Sequence, residues 1–284
     1  MLHHLLPTAR EAGVSRELRG WHWFEPPLKP YYGDTRLPMY SVTSNYCPTN
    51  RDVYLRNVEK MHPTVGAKVA LGKILHGVVS DSLQTFIKRQ NMSFEEWWAT
   101  VRWNEIPEKP ENLLDSCKCV WEFMRKQCEA RLADVSSRQP YASELDLMAS
   151  AVPFLVEHKI SGELLGLSGI LSLDCYDYLR AIMFDLKVAS EPAEWHKLSP
   201  IGYALVFESV HEVPVDICCI TYLNVEGGKM NVHKDLFFAN DELRHWWIEE
   251  RDKKLEIVAE TKDPGNPEPS QCKDSCMYYN ACYG

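Results

Sequence analysis

The apolar pattern of this chain changes period at Val152, and that change limits the fold more than any other feature of the sequence. Upstream the spacing is helical: across Thr64–Gln90, Val69, Ile74, Val78, Leu83 and Phe86 fall near one face. Downstream, VPFLVEHKI, LGLSGILSLDCY and YLRAIMFDLKV are short apolar runs separated by Gly162, Gly166 and Asp177, as in a β-meander. The same reading predicts a short helix near Arg10–Trp21, then a proline- and aromatic-rich arm extended over the domain surface. Helices are expected over Thr49–Lys60 and Asn112–Ser136, and one from Ser93, where SFEEWW sets Glu96 in a capping box. After the meander come a helix around Glu191–Val210, a strand DICCITYLNV turning at Gly227–Gly228, and a helix from about Asn240 to Glu260. Asp263–Gln271 is a loop by composition and leads into CKDSCMYYNACYG. The fold class is α/β.

Composition removes several function classes. With 284 residues, 45% of them hydrophobic, the chain can bury a large core, which excludes disorder and a disulfide mini-protein. The net charge of −9 excludes a uniformly basic nucleic-acid coat, though not a local basic patch. No run approaches the roughly 20 apolar residues of a membrane helix, and MLHHLLPTAREAG does not read as a signal peptide. A cytoplasmic chain is therefore the expectation. Ten cysteines are then too many for chance and ill suited to disulfides, so some should hold a metal.

In IMFDLKV, strand alternation puts Asp185 and Lys187 on one face. Such a pair is costly to bury unless paired or metal-bound. If the chain reverses near Tyr178–Arg180, Asp174 lies roughly opposite Met183 and diagonal to Asp185. Two carboxylates that close bind a hard cation, Mg2+ or Mn2+, and a neighbouring lysine can orient water and stabilise charge on a phosphate. The competing reading of a lone D-x-K is a hairpin with one salt bridge. His76, four residues after Gly72, lies on a helix that should pack on the sheet, although such a histidine is commonly capped or solvated. Glu157 in FLVEHK could face the same side or face solvent. Tyr203, one turn from Phe207, could equally be a core tyrosine.

Cys272, Cys276 and Cys282 are spaced C-x3-C-x5-C in a tail that hydrophobic burial alone would not order. Cys47, in a Cys-Pro turn at a helix start, is the best fourth ligand. One distant and three clustered cysteines suit an iron–sulfur cluster better than zinc, with no metal as the remaining reading. The other six cysteines read as core or surface residues. Between Arg51 and Arg89, seven Lys/Arg, including Arg51, Arg56 and Lys73, face three acids, a charge of +4 that leaves −13 elsewhere. That segregation suits a phosphate backbone, or simply a solvated helix face.

Taken in order, Asp174, Asp185-x-Lys187, a helical histidine and a one-plus-three cysteine set resemble RecB-type nucleases of the PD-(D/E)xK superfamily. More narrowly, the chain looks like the CRISPR-associated iron–sulfur exonucleases, the Cas-four family. ELRGWHW and YCPTNRDVYLR look like its archaeal Csa-one branch. The resemblance implies a central mixed sheet flanked by helices, with a helical insertion and an iron–sulfur region joining the N- and C-terminal parts. It divides the chain into an arm with the first cluster ligand (1–62), a helical region carrying the metal-binding histidine (63–150), the nuclease sheet and helices (151–262) and the cysteine segment (263–284).

Carried over residue by residue, His76, Asp174, Asp185 and the Leu186 carbonyl would hold Mn2+ or Mg2+. Lys187 would position the attacking water, and Tyr203 would be the tyrosine of the Q-x-x-x-Y motif. Cys47, Cys272, Cys276 and Cys282 would hold the cluster, 4Fe-4S being the usual form and 2Fe-2S the alternative. Arg51, Arg56 and Lys73 would contact DNA. The implied role is metal-dependent cleavage of single-stranded DNA or prespacer ends in spacer acquisition, beside the CRISPR integrase and other adaptation proteins. Two departures stand out: Ser199 replaces the motif's glutamine, and Asp185 replaces the commoner glutamate. The alternatives are a non-catalytic DNA-binding iron–sulfur subunit of the adaptation complex, or a zinc-stapled interaction protein.

Overall fold

The computed structural model describes residues 2–62, 67–101, 110–188, 191–226, 229–272 and 276–284. The expected start at Thr64, the Lys68 side chain and the Gly227–Gly228 turn lie outside the described residues. The helices are α1 (Leu2–Ala12), α2 (Met39–Thr43), α3 (Arg51–Asn57), α4 (Ala67–Ile87), α5 (Phe94–Thr100), α6 (Pro110–Arg138), α7 (Glu144–Ala151), α8 (Leu198–His211), α9 (Asp241–Ala259) and α10 (Tyr279–Tyr283). The strands are β1 (Phe154–Ile160), β2 (Leu171–Asp177), β3 (Ile182–Lys187), β4 (Ile217–Glu226) and β5 (Lys229–Phe238).

The strands form one open, mixed sheet in the order β1-β2-β3-β4-β5. The meander predicted after Val152 is present as β1, β2 and β3, each antiparallel to the next. β3 then pairs parallel with β4 across the α8 crossover, and β4 pairs antiparallel with β5. β5 escapes the sequence reading because its first half is largely exposed, so no apolar alternation marks it. Helices cover both faces. On one, Tyr176, Met183 and Cys218 pack against Leu198, Ile201 and Leu205 of α8 and Trp247 and Leu255 of α9. On the other, Ile74, Leu75 and Val78 of α4 and Val120 and Trp121 of α6 close over Leu223, with Leu186 against them. The Ser93–Glu96 capping box is present at the start of α5.

The N-terminus departs from expectation in two ways. The first helix is α1, which ends at Ala12 rather than Trp21 because Gly13 takes the left-handed conformation (φ +67°) and stops it. Only short 3-10 turns follow, at Arg16–Leu18 and Gly20–His22. The arm, in turn, is not laid over the surface: Leu18, Leu28, Leu37 and Val42 are fully buried. Three buried cations of α9 hold it by its backbone. Arg244 donates to the Leu18 carbonyl at 3.0 Å, Arg251 to Leu28 at 2.6 Å, and Lys254 to Val42 and Ser44 at 2.7 and 2.6 Å. Carbonyls in a buried segment without regular structure need such partners. Arg244 is neutralised by Glu208, with bonds of 2.8 and 3.0 Å. Burial pushes Glu208 up, but Arg244 and the amides of Gly20 and Val215 outweigh it and hold the carboxyl below its usual value.

Candidate active site

β1 and β2 lose their pairing for a single step. Val156 pairs with Cys175 and His158 with Leu173, which leaves Glu157 and Asp174 opposed but outside the ladder. Glu157 sits in the left-handed region at φ +50°. The chain changes phase there: Leu155 and Ile160 of β1 meet the same core, as do Tyr176, Leu173 and Leu171 of β2, although strict alternation would separate them. A non-glycine residue held in this conformation stores about 1–3 kcal/mol of strain. The crimp carries two carboxylates towards α4.

His76 of α4 donates from Nε2 to the Leu186 carbonyl at 2.7 Å, which turns its Nδ1 lone pair towards Asp174 Oδ2, 3.8 Å away. Asp174 Oδ2 in turn accepts from the Leu186 amide at 2.8 Å. Glu157 completes a group in which one ligand atom from each of His76, Glu157 and Asp174 lies within 4.8 Å of the others. Ser172 Oγ donates to Glu157 Oε2 at 2.5 Å and fixes its carboxylate. The sequence left Glu157 between pocket and solvent; the structure puts it in the pocket.

The expected register is corrected. The turn closes between Asp177 and Ile182, one residue later than assumed, so Met183 pairs with Tyr176 rather than facing Asp174. Continuing past the Cys175–Phe184 pair, Asp174 falls opposite Asp185 itself. Asp185 is buried, and its Oδ1 accepts from Ser199 Oγ at 2.6 Å. Lys187 Nζ stands 2.8 Å from Asp185 Oδ2, an ion pair on the carboxylate's other oxygen. Ser199, which stands where the motif has glutamine, donates its hydroxyl to the Asp185 carboxylate.

The electrostatics follow from burial and crowding. Burial and the Asp185 carboxylate push Asp174 up to about 6, with His76 opposing. Burial pulls Lys187 down, but Asp185 and Asp174 outweigh it, and the ammonium is held above the ordinary lysine value. Tyr203 on α8 is raised by burial and then by Asp174, Asp185 and Glu157, its charge neighbours. Three carboxylates thus face one lysine and a histidine. That donor set fits a hard divalent cation.

Away from this pocket, Thr49, Arg51 and Arg56 are bonded to Gly265, Asp263 and Tyr278. Cys47 Sγ is 3.5 Å from Thr49 Oγ1, and Thr49 donates to the Gly265 carbonyl at 2.9 Å. Asn266 donates to the Cys282 carbonyl at 2.6 Å. Burial raises the Cys272 thiol, reinforced by Cys276, Cys282 and Cys47, so the four predicted ligands are neighbours. Among the described residues no three cysteine sulfurs lie within 4.8 Å of one another. Of the other six, burial pushes Cys117 up to about 12 and Cys128 up to about 11, and raises Cys175, Cys218 and Cys219. These five are poor ligands by that measure.

The basic segment is less free than its charge suggested. Arg51 pairs with Asp263 at 2.9 Å and bonds Asn266, while Arg56 donates to Tyr278 Oη at 3.1 Å and covers the Tyr40 ring. Arg89 is paired with Glu144. Lys73 is exposed on α4, one turn before His76.

The model of the family described as CRISPR-associated exonuclease Csa1 matches residues 1–284. A relative from Saccharolobus solfataricus, named CRISPR-associated exonuclease Csa1, is 29% identical over 279 residues, covering 95% of this chain and 92% of the relative. One of the same name from Thermoproteus tenax is 26% identical over 285 residues, covering 99% and 96%.

Proposed function

Since this chain belongs to the family of CRISPR-associated exonucleases Csa1, we propose that it is a metal-dependent deoxyribonuclease with a RecB-type PD-(D/E)xK core. Its substrate would be single-stranded DNA or prespacer ends in spacer acquisition, and its partners the CRISPR integrase and other adaptation proteins. The observation that carries this reading is the gathering of His76, Glu157 and Asp174, with Asp185 opposite Asp174 across the β2–β3 pair and Lys187 Nζ 2.8 Å from Asp185 Oδ2.

His76, Glu157, Asp174 and Asp185 would hold Mn2+ or Mg2+, and the Leu186 carbonyl, whose second lone pair is free of the His76 bond, would stand beside them. The ion, when bound, supplies the charge that acidifies an attacking water and offsets the phosphate. The chain's own groups do the rest. Leu186 N–H and Ser172 fix the Asp174 and Glu157 carboxylates, and Ser199 fixes Asp185. Lys187, held charged by its carboxylate neighbours, is a donor rather than a base, suited to a phosphate oxygen that gains charge in the transition state. Tyr203, kept protonated by burial and the carboxylates, can donate but not accept a proton at neutral pH. The non-catalytic alternative would take the loss of the motif's glutamine at Ser199 as loss of activity; DNA binding retained without metal-dependent cleavage would favour it.

Cys47, Cys272, Cys276 and Cys282 would hold an iron–sulfur cluster that clamps the chain's two ends. One distant and three clustered cysteines suit a polynuclear cluster, 4Fe-4S or 2Fe-2S, better than a single zinc ion. End-labelled single-stranded DNA incubated with anaerobically purified protein and Mn2+ tests the proposal. Wild type should cleave, and Asp185→Ala and Lys187→Ala should lose at least about a hundredfold in rate. Equal cleavage by all three would assign the activity elsewhere.

A further inference from the structure

Beside the Lys187 end of β3 the rings of Tyr40, Tyr46, Trp195 and His196 form a continuous series. Tyr40 and Tyr46 are 6.4 Å apart between centroids, Tyr46 and Trp195 5.0 Å at 74°, and Trp195 and His196 4.2 Å at 71°. The inner half is anchored. His196 is buried and lies 3.1 Å through Nδ1 from the hydroxyl of Tyr222, the residue paired with Lys187 across the sheet. The outer half is open: Tyr46 is 57% exposed and Tyr40 41%, with the Arg56 guanidinium 4.8 Å over the Tyr40 ring.

Rings that only fill a core are not left this exposed. Here the buried His196 anchors Trp195, and Trp195 meets Tyr46 edge to face, an arrangement that still leaves more than half of Tyr46 open. Because Tyr222, which anchors His196, is paired with Lys187, the series begins beside Lys187 and runs outward to the Arg56 cation.

We infer that Tyr46 and Trp195, with Tyr40 beyond them, are a stacking track for successive bases of single-stranded DNA entering or leaving the Lys187 site. The inference rests on the nuclease reading above. Stacking suits an enzyme that must accept every base in turn, since each base presents a π-face, and Arg56 supplies a cation for the backbone. Preorganised rings also lose little freedom when a strand is bound.

The test is binding without cleavage, in EDTA, followed by the anisotropy of a short labelled oligodeoxynucleotide and by the fluorescence of 2-aminopurine placed along it. Tyr46→Ala should weaken binding about tenfold and relieve the 2-aminopurine quenching, while Tyr46→Trp preserves both. Trp195→Leu, distant in sequence from Cys47, should give a loss in the same direction. Wild-type affinity and quenching in both Tyr46→Ala and Trp195→Leu would overturn the track while leaving the nuclease assignment standing. Absence of oligonucleotide binding by wild type would overturn the nuclease reading with it. Equal affinity for the RNA of the same sequence, with the same loss in Tyr46→Ala, would overturn the commitment to DNA.

Discussion

Asp174 keeps its proton to about pH 6 because it is buried and faces Asp185. An unfolded aspartate titrates near 3.9. Between those values the native chain binds more protons than the unfolded one, so metal-free stability falls as pH rises from about 4 to about 6. Thermal melts in EDTA across that window should show the decline, and saturating Mn2+ should flatten it. Asp185 and Lys187 were legible in the sequence because apolar neighbours frame them and period two assigns their face. Glu157 was not, since its positive φ breaks the period on which the reading depends. The Ser199–Asp185 bond could not be read either, since it depends on how α8 sits over β3, which residue spacing does not contain.

The meander was readable from apolar runs and turn residues, whereas β5 was not, its first half being solvated. α8 and α9 meet through a contact that only glycine allows. A Cβ at Gly202 would lie 2.3 Å from Trp247 Nε1 and 2.7 Å from Met39 Sδ. Gly202→Ala should therefore destabilise the protein by about 1–3 kcal/mol, measured by urea unfolding; an unchanged midpoint would mean that α9 can shift without loss. The N-terminal arm shows why proline-rich stretches mislead. Its burial depends on Arg244, Arg251 and Lys254, more than 200 residues away, and nothing local announces them.

Across the molecule, the cysteine end joins residues 47–56 to 263–282, and the active site lies where α4, α8 and the β1–β2 crimp converge. Part of the segregated positive charge read from the sequence is spent on ion pairs, Arg51 with Asp263 and Arg89 with Glu144, while Arg56 keeps its charge beside the Tyr278 hydroxyl. DNA affinity should thus depend on salt only weakly, with a log–log slope shallower than about −2 at about 0.7 per phosphate. A steep slope would restore the basic segment as the DNA surface. The account stands on the metal centre, and the direct measurement is Mn2+ binding by electron paramagnetic resonance at neutral pH. One tightly held ion per chain, lost in both His76→Ala and Asp174→Asn and weakened in Glu157→Gln, is the expected result. Unaltered binding in all three variants would place the metal, and the chemistry, outside this pocket.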